Sequence, residues 1–313
     1  MMQGTPQRPS YPPPYPGRPA PARRPARRRG CLSSLPLLVF VLLMLPVFCC
    51  GLSFVAYLVV PPPPLDVLVL GLDAREGEGY LTRTDSIILV GIQPAQLRVS
   101  MLSVPRDLFI DVPGYGLQRI NTVNVLGEME SQGYGPALLA SSIENSFGIS
   151  PDRYVRLNFQ GFIDLVDAVG GITIDVERTI VDYAYPTPDG GTISIRFDPG
   201  VQHMDGERAL MYARTRHADD DYRRAERQQQ VLSALSLKLL NPVSWPAVFS
   251  VLNRSVDTDL SIIDMAIYAP TVILNAGRFE RFVIDRDYIS AAPNGSPIPD
   301  YAKISPWIAE RFD

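Results

Sequence analysis

The side chains that could do chemistry in this chain are arginines and aspartates, and they come in short clusters. Asp73 and Arg75 follow one apolar run, Arg83, Thr84 and Asp85 precede the next, and Pro105, Arg106 and Asp107 end a third. Arg119, Ile120 and Asn121 come after them. Arg214, Thr215 and Arg216 stand further on, followed by Asp221, Arg224, Arg227 and Gln228. Two like charges about 5 Å apart repel by roughly 3 kcal/mol at an effective dielectric of ~20. An anionic ligand removes that cost, and the planar guanidinium fork matches phosphate oxygens two at a time. Asp73 and Asp85 would repel a phosphate unless a hard cation stood between them. Mg2+ binds in that way, through one or two carboxylates plus substrate phosphates. If the clusters converge in space, they ask for a pyrophosphate with Mg2+. Taken singly, each arginine reads as an ordinary surface residue or as half of an ion pair with one of the 33 acids.

Other chemistries lack their residues. The two histidines, His203 and His217, stand in no metal-ligand or triad spacing. No G-x-S-x-G, Walker loop or H-E-x-x-H occurs. The three cysteines, Cys31, Cys49 and Cys50, lie in or beside one apolar segment, so the chain beyond it has neither a disulfide nor a thiol nucleophile.

The elements that must position the clusters alternate between strand and helix patterns. Strands are predicted at residues 66–71, 86–92, 97–104, 108–112, 154–159, 172–176 and 193–197, and helices at 135–147, 161–169, 205–213 and 220–240. The mixture predicts one α/β (α+β) domain over residues 66–240, a central mixed sheet flanked by helices. On the last of these helices Asp221, Arg224 and Gln228 are spaced i, i+3, i+7 and share a face, with Arg227 beside them. The helix turns apolar from Val231 onward, so its first half reads as a recognition surface and its second as core. Residues 241–313 read as an extension packed on the domain, with two helices, a strand at 281–284 and a last helix near Trp307.

The N-terminus has a different composition. Residues 1–30 hold seven Arg, nine Pro and no acid, and are expected to be a disordered tail. Residues 31–60 carry no charge and suffice to cross a bilayer core of roughly 30 Å. Residues 61–65 open with four prolines, a stiff spacer. Arginines precede the apolar segment and Asp66 is the first charge after it, so the positive-inside rule puts the tail in the cytoplasm and residues 61–313 outside. Beyond the tail the chain carries 22 basic and 33 acidic residues, which gives it no general reason to bind nucleic acid.

Six ordered segments resemble the LytR–CpsA–Psr family of cell-wall glycopolymer ligases. They are VLVLGLDAR (67–75), TRTDSIILV (82–90), SVPRDLFIDVPGYGLQRIN (103–121), FQGFIDLVDAVGGITIDV (159–176), MDGERALMYARTR (204–216) and DYRRAERQQQVLSAL (221–235). The resemblance implies that Asp73 and Asp85 hold Mg2+ and that Arg83 and Arg106 join them as the catalytic set. It implies pyrophosphate contacts from Arg83, Arg106, Arg119, Arg214, Arg216, Arg224, Arg227 and Gln228. It also implies an apolar tunnel for a lipid tail, with Phe147, Val155, Leu157, Phe159, Phe162 and Val166 as candidates for its lining. The implied activity is a membrane-anchored extracytoplasmic phosphotransferase. It would move a glycopolymer from a polyprenyl-pyrophosphate carrier to a peptidoglycan hydroxyl as a phosphodiester. A polyprenyl-pyrophosphate phosphatase and a non-catalytic sensor of lipid-linked intermediates are the alternatives. Two departures from the family pattern stand out. Asn124 and Gly127-Glu128 replace an aromatic and a Gly-Gly pair, and the linker between Arg216 and Asp221 is short and acidic.

Overall fold

The computed structural model describes residues 35–74, 79–187, 190–215, 221–275 and 278–312. The tail, Cys31, Arg75, Arg216, His217 and the acidic linker lie outside them, as does the side chain of Asp221. The chain divides into two units, residues 1–53 and 54–313. Helix α1 (Leu35–Val59) runs 25 residues without a charge.

Strand β1 (Leu65–Leu72) is apolar on both of its faces, a pattern that a central strand buries. It pairs antiparallel with β2 (Thr84–Gln93), which pairs antiparallel with β3 (Arg98–Ser103). The β2–β3 connection passes through a short turn at Pro94–Gln96 and Leu97, whose φ of 49° ends that turn, so β3 begins one residue later than its apolar pattern suggests. A hairpin of β4 (Phe109–Val112) and β5 (Gly116–Arg119) leads to helices α2 (Val123–Glu130) and α3 (Gly135–Phe147). Strand β6 (Arg153–Leu157) then returns parallel to β1. Helix α4 (Phe159–Ala168) is followed by β7 (Ile172–Val176), β8 (Ile180–Pro186), β9 (Thr192–Phe197) and β10 (Gly200–Met204), which form two ribbons, β7 with β10 and β8 with β9. Helices α5 (Gly206–Arg214), α6 (Asp221–Leu239) and α7 (Trp245–Ser255) come next. The C-terminal stretch contributes β11 (Val256–Thr258), α8 (Ile262–Leu274), β12 (Glu280–Val283), the small ribbon of β13 (Ile289–Ala291) and β14 (Pro297–Pro299), and α9 (Tyr301–Ala309).

The main sheet has the order β11-β6-β1-β2-β3-β12 and is mixed. Both edge strands come from residues beyond 240, so this stretch completes the sheet as well as packing on it. Leu68, Leu70, Ile87 and Leu89 face a core shared with α2, α3 and α9. Val67, Ile88 and Met101 face the opposite side, where Tyr268 of α8 packs. A third core, built on α4, α5, α6, α7 and the ribbons, holds Val166, Ile172, Phe197, Tyr212 and Val231.

Among the described helices and strands, β5, α2, β8, β10, β11, β13 and β14 were not evident in the sequence pattern. Helix α2 contains a glycine because contact demands one, since a Cβ on Gly127 would lie 2.7 Å from the Cα of Gly135. A tighter contact occurs at Gly161 in the first turn of α4, where a Cβ would stand 2.2 Å from the backbone carbonyl oxygen of Ser255 at the end of α7. Gly161 also donates its N–H to the side chain of Asn158, the N-cap, at 2.8 Å. Gly161→Ala is therefore expected to cost about 1–3 kcal/mol through overpacking, read as a lower thermal midpoint. An unchanged midpoint would mean that α7 yields freely.

Candidate active site

The β1–β2 register puts the two carboxylates at one end of the sheet. Gly71 pairs with Ser86 and Leu72 with Thr84, and the N–H of Asp73 donates to the carbonyl of Arg83 at 3.0 Å. Asp73 and Asp85 thus both border one cavity of about 570 Å3. Asp85 is largely buried and accepts from Nη1 of Arg106 at 2.7 Å. Arg106 also approaches Asp107 at 3.6 Å, and Asp107 lies 3.5 Å from Arg119. Arg119 is half exposed over the Phe109 ring and borders neither this cavity nor the small one beside it. Arg83 is exposed on the segment between the two carboxylates and does not line the cavity either.

Helices α5 and α6 bring Arg214, Arg224 and Gln228 to the same cavity. Arg214 ends α5, where a cation is favoured by the helix dipole. Its guanidinium lies 3.8 Å from Asp73, 3.7 Å over the Phe159 ring and 3.5 Å from the hydroxyl of Tyr185. Burial pushes that hydroxyl above its ordinary pKa, although Arg214 pulls it back, so Tyr185 stays protonated at neutral pH. Arg224 is 5% exposed and borders both the large cavity and the smaller one against Arg106 and Asp85. Gln228, one turn on, accepts from Ser86 Oγ at 3.0 Å. The same α6 face continues into the cavity wall as Val231, Leu232 and Leu235, so the charged and apolar halves of this helix serve a single cavity.

Arg227 has a different position. It is buried, with Nε donating to the carbonyl of Tyr212 at 2.9 Å and Nη2 to that of Thr215 at 2.6 Å. It fastens the end of α5 to α6 and borders neither cavity. Beyond the mouth the cavity is apolar. Val155, Leu157, Phe159 and Phe162 line it, whereas Phe147 and Val166 sit inside separate cores. Glu128, which stands in the region that departs from the family pattern, turns inward and pairs with Arg156 at 2.5 Å.

Four residues of the site escaped the sequence reading. Ser86 bridges Asp85 to Gln228 by position, and Tyr185 and Asp182 come from the unforeseen strand β8. Asp182 is buried and accepts from Thr215 Oγ1 at 2.7 Å, which fixes the exit of α5. Asn158 caps α4 and borders the cavity. The alternation Ile-Val-Asp-Tyr-Ala-Tyr-Pro was the available signal for β8. Among the described residues no group of three or more His, Cys, Asp or Glu is placed to hold a metal. The pair Asp73 and Asp85 with the hydroxyl of Ser86 nonetheless suits a hard cation that takes most of its ligands from phosphate and water.

Residues 61–280 match the model of the LytR–CpsA–Psr family. The polyisoprenyl-teichoic acid–peptidoglycan teichoic acid transferase TagU of Oceanobacillus iheyensis is 32% identical over 203 residues, covering 63% of this chain and 59% of that protein. The regulatory protein MsrR of Staphylococcus aureus is 33% identical over 202 residues, covering 63% of this chain and 56% of that one. The chain thus spans less than two thirds of the length of these relatives. A solved structure of TagT bound to LIIa-WTA matches with a TM-score of 0.61 at 24% identity, over 80% of this chain and 91% of the other, which supports the fold. With the sheet, the order of the six segments and a family match over most of its length, this chain belongs to the LytR–CpsA–Psr family.

Proposed function

We propose that this protein is a membrane-anchored extracytoplasmic phosphotransferase. It moves a glycopolymer from a polyprenyl-pyrophosphate carrier to a peptidoglycan hydroxyl, forming a phosphodiester. The observation that carries this reading is the cavity itself. Its apolar walls suit a prenyl chain, and Arg214, Arg224 and Gln228 line it together with Asp73 and Asp85. The relative named as a transferase supports the reaction class. The uncharged 25-residue helix α1 would extend about 37 Å, enough to span a bilayer core and hold residues 61–313 outside.

Arg106, Arg214 and Arg224 bind and orient the pyrophosphate, with Arg83 and Arg119 at the rim reaching for the sugar-proximal phosphate. Asp73, Asp85 and Ser86 would hold Mg2+, which when bound offsets the charge of the pyrophosphate. The acceptor hydroxyl attacks the phosphorus next to the sugar and gives up its proton to solvent, the bond from that phosphorus to the bridging oxygen breaks, and polyprenyl phosphate leaves with that oxygen as the new phosphodiester forms. The loose transition state of phosphoryl transfer needs little covalent help, so the arginines act through position and charge.

The test is transfer by the full chain in detergent, given a synthetic polyprenyl-pyrophosphate oligosaccharide, Mg2+ and peptidoglycan oligomers, with products read by mass spectrometry. A conjugate that depends on Mg2+ supports the ligase. Free sugar phosphate in its place means a phosphatase. Bound, unchanged lipid means a sensor, the reading that the name of the MsrR relative would favour.

A further inference from the structure

Helix α8 is apolar on both of its sides. Its inner side packs Tyr268 against the sheet, and Met265 borders the cavity. Its outer side carries Ile262, Ile263, Ala266, Ile267, Ile273 and Leu274, all exposed and all apolar. Their spacing of i, i+1, i+4, i+5, i+11 and i+12 draws one stripe along three turns. Ile263 is 69% exposed and Ile262 59%. The one charge of the helix, Asp264, is turned to its own cap, where it accepts from Ser261, and to Arg153 at 3.2 Å. A contiguous apolar surface of this kind on a globular domain marks a contact with something apolar.

The position of the stripe indicates what it contacts. The end of α1 lies against α8, since Tyr57 and Thr271 share a hydrogen bond of 2.5 Å between their hydroxyls. The chain just after α1 is tied to the same helix, with Tyr268 Oη donating to the carbonyl of Pro63 at 3.0 Å. The last turns of α1 are themselves apolar and exposed at Val55, Leu58 and Val59. The stripe is therefore anchored beside the point where the chain leaves α1.

We infer that the outer face of α8 docks into the surface of the lipid bilayer, holding the apolar cavity that its inner face walls against the leaflet from which a prenyl chain would enter. This inference rests on the reading of α1 as a membrane span. An interfacial helix buries its apolar face at the boundary between headgroups and acyl chains, and here the protein core takes the place of the usual polar face.

The experiment uses the full chain, with Cys31, Cys49 and Cys50 changed to Ala, reconstituted into phosphatidylglycerol–phosphatidylcholine vesicles that contain spin-labelled lipid. A fluorophore is attached at Ile263→Cys, at Phe48→Cys within α1, or at Met129→Cys. Met129 is exposed on α2, which packs on the opposite side of the main sheet from α8. Quenching at 263 and 48 but not at 129 is the expected result. Quenching at 48 with none at 263 overturns the inference and leaves the anchor standing, whereas no quenching at 48 removes the anchor on which it rests. Energy transfer between copies labelled at 263, without lipid quenching, would give the stripe to a second copy and overturn the inference. A second readout is the Ile263→Glu, Ile267→Glu double variant. Its transfer from a long-chain carrier embedded in vesicles should fall by roughly tenfold, while transfer from a short, water-soluble carrier stays unchanged. Equal loss on both carriers would overturn the docking role. Absence of transfer in the parent protein would count against the ligase and leave the quenching result intact.

Discussion

Arg214→Ala is expected to lower the transfer rate by about 100- to 1,000-fold, the range seen when one preorganised donor to developing charge is removed. The folded protein should lose little. Arg214 is 29% exposed, and its pairing with Asp73 at 3.8 Å is a long one, at a site with solvent access. Such pairs contribute about 0–1 kcal/mol, and a cation in the last turn of a helix adds about 0.3–1 kcal/mol. At the cavity mouth the same guanidinium does more. It is held over the Phe159 ring and beside Tyr185, so its fork is already oriented when a phosphate arrives. Lysine would keep the charge and lose both the fork and the stacking, so Arg214→Lys should fall between the parent and the alanine variant. The measurement is kcat and KM for transfer, together with a thermal melt of each variant. A parental rate in Arg214→Ala would remove Arg214 from the site. A rate lost together with a large drop in the melt would show that its role is structural.

Much of this site was legible because its residues follow from local pattern. The short apolar runs of β1 and β2 mark the strands, and their antiparallel register then places Asp73 opposite the segment that carries Asp85. The i, i+3, i+7 spacing puts Arg224 and Gln228 on one face of α6, and both border the cavity. Arg227 shows the limit of that reasoning. Helical spacing puts it beside Arg224, but which of the two meets the cavity depends on where α5 packs, and α5 ends with its carbonyls aimed at Arg227. Tyr185 and Asp182 arrive on β8, a strand whose partner β9 lies across a turn, and no local feature links that ribbon to α5 or to β2. The strand at 281–284 was legible and is β12, but its place at the edge beside β3 was not, and β11 was missed altogether, because three or four residues carry too little pattern to show which sheet edge they join.

Arg156→Met should be the most destabilising single change, at about 3–5 kcal/mol, because it strips the cation from a buried ion cluster and leaves its acids behind. Arg156 is 1% exposed on β6. It pairs with Glu128 at 2.5 Å and Asp257 at 2.6 Å, donates to Asn124 at 2.9 Å, and lies 4.1 Å from the Tyr80 ring centroid. The cluster joins α2, the main sheet and the C-terminal stretch, so its loss loosens three parts of the fold together. It also reaches the site, since Asn124 donates to the carbonyls of Tyr80 and Thr82 just ahead of Arg83. The pH dependence separates a charge effect from a packing effect. Burial alone would raise the pKa of Glu128, but the N–H of Gly133, Arg156 and the N–H of Gly135 together hold it below the ordinary glutamate value. A carboxylate lowered in this way stabilises the fold fully above its unfolded pKa, and that contribution is lost as pH falls through the lowered folded value. In Arg156→Met the opposing cation is gone, burial gains weight, and Glu128 takes up a proton at higher pH. The gap in thermal midpoint between the variant and the parent should therefore narrow on going from pH 7 towards the glutamate range. A gap that stays constant across that window would assign the cost to lost packing around the guanidinium, and adding Glu128→Gln to Arg156→Met would then restore nothing.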